Sequence, residues 1–80
     1  MQNYQHRLDV RHLRCPMPLI RVRQYLSTMQ YQERLLVLTA DVATRKDLPS
    51  MLHQLKQPLV EQGQHLSSDW FVIEKGQSPC

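Results

Sequence analysis

The sequence predicts an α/β fold: a two-layer sandwich in the order βαβαββ, with two helices on one face of a four-stranded mixed sheet. Three observations predict it. Leu35-Leu36-Val37-Leu38 is a continuous apolar run of strand length, the pattern of a central strand buried on both faces. Leu19, Val22, Leu26 and Met29 fall at helical spacing just after a pair of prolines. Trp70-Phe71-Val72-Ile73 is aromatic and β-branched throughout, the strongest strand signal in the chain.

The first strand is expected at His6–Val10, where Leu8 and Val10 alternate with polar residues. Arg11–Arg14 is a loop. Cys15-Pro16-Met17-Pro18 opens the first helix, with Cys15 as N-cap. Pro16 and Pro18 are then in the first turn, where a missing N–H costs nothing. The apolar stripe carries this helix to about Met29. Gln30–Glu33 connects it to the strand at Leu35–Leu38, and Asp41–Lys46 forms the next loop. Asp47 is a good N-cap for the second helix, with Pro49 in its first turn and an apolar stripe of Leu48, Met51, Leu52 and Leu55. Pro58 stops it near Lys56, because an interior proline costs about 3 kcal/mol and restricts the residue before it. Leu59–Gln62 is the third strand, with proline at its start. Gln64–Ser68 is a polar connection to the Trp70–Ile73 strand, and Gly76–Cys80 is a loose tail.

Eighty residues make a single domain, 1–80, near the lower limit of what one core supports. Hydrophobic residues at 41% and charged residues at 21% exclude a disordered chain, and two glycines with five prolines exclude collagen-like and low-complexity readings. No apolar run approaches the ~20 residues of a membrane span, so no membrane partner is expected. Met1–His6 lacks the apolar core of a signal peptide, so a cytoplasmic protein is expected. Cys15 and Cys80 are too few for a disulfide scaffold and are free thiols in a reducing compartment. His6, His12, His53 and His65 show no zinc-type spacing, and no carboxylate cluster suggests calcium. No metal and no cofactor are expected.

Charge is uneven. Residues 1–40 carry six arginines and two acids, against four bases and five acids in residues 41–80. Arg7, Arg11, Arg14, Arg21 and Arg23 surround Cys15 in sequence, either as a solvated basic surface or as a patch that docks an anionic partner. A nucleic-acid-binding face shows a denser basic stripe with interleaved aromatics, so direct nucleic-acid binding is not expected. Trp70 and Phe71 read as sheet core and edge.

Cys15 is the candidate for chemistry. A helix N-terminus carries roughly half a positive charge and unpaired N–H donors, which favour a thiolate. Pro16 and Pro18 have no N–H, so the amide of Met17 is the expected donor. Arg11 and Arg14 add positive potential if they point inward, and His12 offers a further charge or a proton. Asp9 either orders the loop leading to Cys15 or is an exposed strand-end acid. A thiolate so placed can take sulfur from a donor and hold it as a persulfide, or form a mixed disulfide. The alternative is a small buried hydrophobe beside two structural prolines. Prolines at both positions after a given cysteine arise about once in 400 by chance, which favours the chemical reading.

The chain resembles the TusA/SirA family of small sulfur-carrier proteins (sulfurtransferases) over nearly its whole length. The residues that carry this are Leu8-Asp9-Val10-Arg11, Leu13-Arg14-Cys15-Pro16-Met17-Pro18-Leu19, Leu38-Thr39-Ala40-Asp41, Asp47-Leu48-Pro49, and the closing strand up to Lys75. The resemblance implies the same βαβαββ sandwich. It implies that Cys15 accepts sulfane sulfur as a persulfide and relays it to a partner. The donor would be a cysteine desulfurase or a rhodanese-like protein. The acceptor would be another protein, for example on the way to 2-thiolation of tRNA or in another sulfur pathway. The chain departs from the family pattern at four places. His12 and Lys56 stand where glycine is common, Met17 replaces a glutamate found in one branch, and Asp41-Val42-Ala43 replaces Asp-Asp-Pro. Glycine often marks backbone that needs positive φ, which makes the backbone at such positions a point to test. Two other classes of function compete with the carrier: a non-catalytic interaction or regulatory module with an incidental cysteine, and a thiol redox carrier. Cys80 is terminal and is expected to be idle.

Overall fold

The computed structural model describes residues 4–76. Its elements are β1 (His6–Asp9), α1 (Met17–Leu26), β2 (Arg34–Thr39), α2 (Val42–Gln54), β3 (Leu59–His65) and β4 (Ser68–Glu74). The order is the expected βαβαββ. The strands lie β1-β2-β4-β3 in one mixed sheet. β1 runs parallel to β2, with Leu8 opposite Val37. β4 pairs antiparallel with both β2 and β3, with Phe71 opposite Val37 on one side and Gln62 on the other.

The period-two pattern of the strands sorts the two faces. Leu35, Val37, Phe71 and Ile73 join Val10 on the face that meets the helices, and all are buried. α1 contributes Val22 and Leu26, and α2 contributes Leu48 and Leu52. Leu36 and Val72 fall on the other face and are also buried, so β2 is enclosed on both sides over Leu35–Val37. Leu38 is half-buried.

Several element boundaries differ from those expected. α1 begins at Met17, with Pro16 rather than Cys15 in the N-cap position. It ends at Leu26, three residues before Met29. The hydroxyls of Ser27 and Thr28 donate to the carbonyls of Gln24 and Tyr25 at 2.6 and 2.7 Å. Such side-chain bonds compete with helix continuation. Met29 stays buried in the turn that follows. The buried Lys75 ammonium donates to the Leu26 carbonyl at 2.8 Å, placing a cation on the negative end of the helix dipole.

α2 begins at Val42 with Asp41 as its N-cap, six residues before the expected N-cap Asp47, and Pro49 lies inside it. The reason is Asp41, whose carboxylate accepts from the Thr44 amide at 2.9 Å and caps the helix. Pro49 forfeits the bond to the Arg45 carbonyl. Thr44, Leu48 and Leu52 are buried one turn apart on each side of it, and their packing outweighs that loss. Asp47 is exposed within the helix. The end of α2 is a Schellman motif. The Lys56 amide donates to the His53 carbonyl at 3.1 Å, and the Gln57 amide to the Leu52 carbonyl at 2.9 Å. Lys56 has φ 58°, so it occupies the left-handed position that glycine favours. His12 is not among the positive-φ residues, so its loop does not need a glycine.

β3 runs on to His65 rather than stopping at Gln62, because a turn of only two residues, Leu66-Ser67, joins it to β4. Gly63 allows the Trp70 ring to lie against the sheet, since a Cβ there would stand 2.6 Å from the ring. Gly76 is not part of a loose tail. It is buried, and its amide donates to Gln57 Oε1 at 2.6 Å. Cys80 and the other residues expected in that tail lie outside the described residues.

Candidate functional site

Because β1 and β2 are parallel, their C-terminal ends open at the same end of the sheet. The loop after β1 carries Cys15, and the residue after Ala40 is Asp41. Two successive turns lead from β1 to α1. The Leu13 amide donates to the Val10 carbonyl at 3.0 Å, and the Met17 amide to the Arg14 carbonyl at 2.9 Å. Cys15 and Pro16 are the middle residues of the second turn, joined by a cis peptide. The Cys15 thiol is exposed and free, which excludes the buried-hydrophobe reading of this residue.

The expected amide donor is not available. The Met17 N–H is bonded to Arg14 and faces back into the turn rather than toward a thiolate. What holds the loop is Asp41. Its Oδ2 accepts from the Cys15 amide at 3.2 Å, from the Thr44 amide at 2.9 Å and from the Thr44 hydroxyl at 2.8 Å. One carboxylate oxygen thus caps α2 and fastens the thiol turn, across 26 positions of sequence. Hydrogen bonds from Thr44, first its hydroxyl and then its amide, hold the Asp41 carboxyl below its ordinary pKa, with smaller contributions from the Cys15 amide and the Arg14 charge.

Asp9 orders the approach to the loop. Its Oδ1 accepts from the Arg11 amide at 3.1 Å and from Arg11 Nε at 2.9 Å, and its Oδ2 from Nη2 at 2.7 Å. The guanidinium hydrogen bond, followed by the amide, lowers the Asp9 pKa from 3.8 to about 2. The Arg11 guanidinium is therefore engaged by Asp9. Arg14 is exposed beside Asp41. The His12 side chain is exposed and makes no hydrogen bond or ion pair among the described residues. Pro16 is exposed, whereas Pro18 is fully buried in the core, so the two prolines of the motif do different things. Pro16 shapes the turn, and Pro18 anchors the helix start.

Exposed apolar side chains flank the turn: Met17 at 40%, Ile20 at 41% and Val42 at 61%. The sequence reading named Asp41 only as part of the family resemblance and missed its part in holding the Cys15 turn. The signal for Asp41 was present in Asp41-Val42-Ala43-Thr44, an aspartate three positions before a residue whose amide it can cap. Among the described residues no three His, Cys, Asp or Glu side chains gather to hold a metal ion. No helix among them is long and apolar enough to cross a membrane.

Two expected outcomes test this frame. Asp41→Ala should lower stability by about 1 kcal/mol through loss of the α2 cap, and should speed amide hydrogen exchange at Cys15. Asp41→Asn, which retains a carbonyl oxygen, should recover part of both. Unchanged exchange at Cys15 in Asp41→Ala would show that the cross-link does not hold the turn.

The second concerns acid. Asp9, Asp41 and Glu33 all have depressed pKa values; for Glu33 the cause is first the Gln30 amide and then the His6 ring, whose Nε2 lies 2.9 Å from Glu33 Oε1. A depressed carboxylate stabilises the fold above its unfolded value and loses that contribution as pH falls through its folded value. The urea midpoint should therefore decline on acidification below ordinary carboxylate values, with the Asp9 share lost between 3.8 and about 2. Asp9→Asn should show a shallower decline across that window. An identical slope would remove Asp9 from the account.

Comparison with known proteins agrees with this architecture. The family model described as sulfurtransferase TusA matches residues 6–75. Among solved structures, a SirA-like protein from Desulfitobacterium hafniense superposes with a TM-score of 0.78 at 20% sequence identity, covering 91% of this chain and 100% of that one. At that identity the likeness concerns the fold.

Proposed function

Because the chain belongs to the TusA family of sulfurtransferases, whose members carry sulfur, we propose that it acts as a cytoplasmic carrier domain, residues 1–80, that holds sulfur on Cys15 as a persulfide. One observation supports this most directly: the family's cysteine is an exposed free thiol at the corner of a turn whose backbone is fastened by Asp41. The thiolate of Cys15 attacks the outer sulfur of a donor persulfide. A new S–S bond forms on Cys15, and the donor's inner sulfur leaves as a thiolate. In the second half, an acceptor thiolate attacks the outer sulfur and Cys15 leaves as the thiolate. Both halves are exchanges, so no external oxidant or reductant is needed.

Asp9 and Asp41 position the turn. Arg14 and His12, both exposed beside it, present positive or proton-bearing groups to an incoming partner, and Met17 with Pro16 forms an apolar contact surface. A donor protein and an acceptor protein meet this face in turn, each presenting a sulfur nucleophile or leaving group to an uncovered thiol. Incubation with a cysteine desulfurase and cysteine, and separately with thiosulfate, tests the reading by intact-protein mass spectrometry. A gain of one sulfur atom that reductant removes is the expected result. If neither donor loads the protein while Cys15 remains open to alkylation, the carrier reading fails and the interaction-module reading takes its place.

A further inference from the structure

We propose that the sheet face opposite the helices is a second docking surface, which takes an acidic, leucine- or phenylalanine-bearing segment of a partner protein. This surface does not depend on sulfur chemistry at Cys15. It is a groove of about 380 Å³ at the sheet end that also carries the Cys15 turn. Leu36, Leu38 and Trp70 form its apolar floor.

Two features separate it from an ordinary solvated sheet face. The first is Leu66. It lies at the tip of the β3–β4 turn, is 93% exposed, lines the groove, and has φ 57°. A two-residue turn with positive φ at its first position favours glycine there. A leucine at this place strains the backbone and leaves its side chain in water, so it does nothing for the isolated fold. Strain held at an exposed apolar residue is a mark of a contact residue.

The second feature is the sign of the rim. Arg7 and His65 line the groove and make no side-chain hydrogen bond or ion pair among the described residues. No acid among the described residues lines the groove: Glu61 shares the sheet face, opposite Val72, but is not among the lining residues, Asp9 has both oxygens engaged by Arg11, and Glu74 pairs with Arg34 at 3.3 Å. An apolar centre with an aromatic anchor and the unpaired Arg7 on its rim complements a segment that alternates acids with large apolar residues. Trp70 rests on Gly63, which fixes its ring as part of the floor.

Trp70 is the one tryptophan of the chain, so its fluorescence reports the groove directly. The probes are an array of short synthetic peptides with two Leu or Phe residues spaced among several acids, the same array with lysine in place of the acids, and oligouridylate. The expected result is that members of the acidic array bind and blue-shift the Trp70 emission, while the lysine array does not. Leu66→Gly should weaken that binding by about ten-fold. It should also raise the urea midpoint, because glycine relieves the positive φ, so lost binding cannot be attributed to unfolding. Arg7→Glu should weaken the acidic peptides further. Cys15→Ser should leave peptide binding unchanged, which keeps this result separate from the sulfur-carrier reading. The proposal is overturned if no member of the acidic array binds, if Leu66→Gly binds as wild type does, or if only oligouridylate shifts Trp70.

Discussion

Cys15→Ser is expected to accept no sulfur from either donor, with the loss complete rather than partial. An S–S bond needs a sulfur atom on both sides, and a serine hydroxyl offers neither the atom nor an anion near neutral pH. The substitution leaves the backbone frame intact. The amide of residue 15 still reaches Asp41 Oδ2, and the side chain is exposed, so stability should stay within about 0.5 kcal/mol of wild type. Cys80→Ser, at the other thiol of the sequence, should load as wild type does. Intact mass after donor treatment, beside a urea titration of each variant, separates chemistry from folding. A Cys15→Ser protein that still gains a reductant-labile sulfur would move the carrier site elsewhere.

The largest expected loss of stability is at Phe71. It is the bulkiest of the fully buried side chains, 1% exposed, in the central strand β4 opposite Val37 and within the cluster that both helices cover. Phe71→Ala should cost about 3–5 kcal/mol, from lost transfer energy and the cavity left behind. The whole chain is expected to hold only about 4–12 kcal/mol, at the usual value per residue. The variant should therefore unfold at low urea, or at room temperature without it. Val60→Ala, on the exposed side of β3, should change stability by less than about 0.5 kcal/mol. Urea midpoints followed by far-UV circular dichroism provide the comparison. Equal midpoints for the two variants would mean the core does not centre on Phe71.

Much of the architecture could be read from the residues, because hydrophobic periodicity records burial. Leu35–Leu38, Trp70–Ile73 and the Val22–Leu26 stripe each lie where their pattern puts them. The start of α2 could not be read so simply. Asp47-Leu48-Pro49 has the form of a helix opening, and the rule against interior proline favoured it. Tertiary packing of Thr44, Leu48 and Leu52 overrode that local preference. Thr44 concealed the stripe, since a threonine at an apolar position does not register as one.

At the site, Cys15 stood out through its prolines, but its support did not. The bond from its amide to Asp41 joins two loops that are neighbours only because β1 and β2 run parallel, and no local pattern contains that fact. The Met17 amide was assigned to the thiol on helix geometry alone, whereas the tight turn after Arg14 uses it. Positive φ at Lys56 is likewise a property of the Schellman motif, which the chain completes with a lysine.

The strand order has a consequence for how the molecule comes into being. β4, the last strand in sequence, lies between β2 and β3 and supplies Phe71 and Ile73 to the core. Everything that frames the thiol lies within the first 44 residues, yet the sheet beneath it is incomplete until residues 68–74 arrive. During synthesis the ribosome therefore releases the cysteine long before the turn around it can be held. The nascent chain passes through a period in which Cys15 is on an unstructured segment, open to any oxidant or electrophile it meets. Only when β4 has inserted do the two ends of the sequence form one cooperative unit, and the thiol becomes a shaped site rather than a bare one.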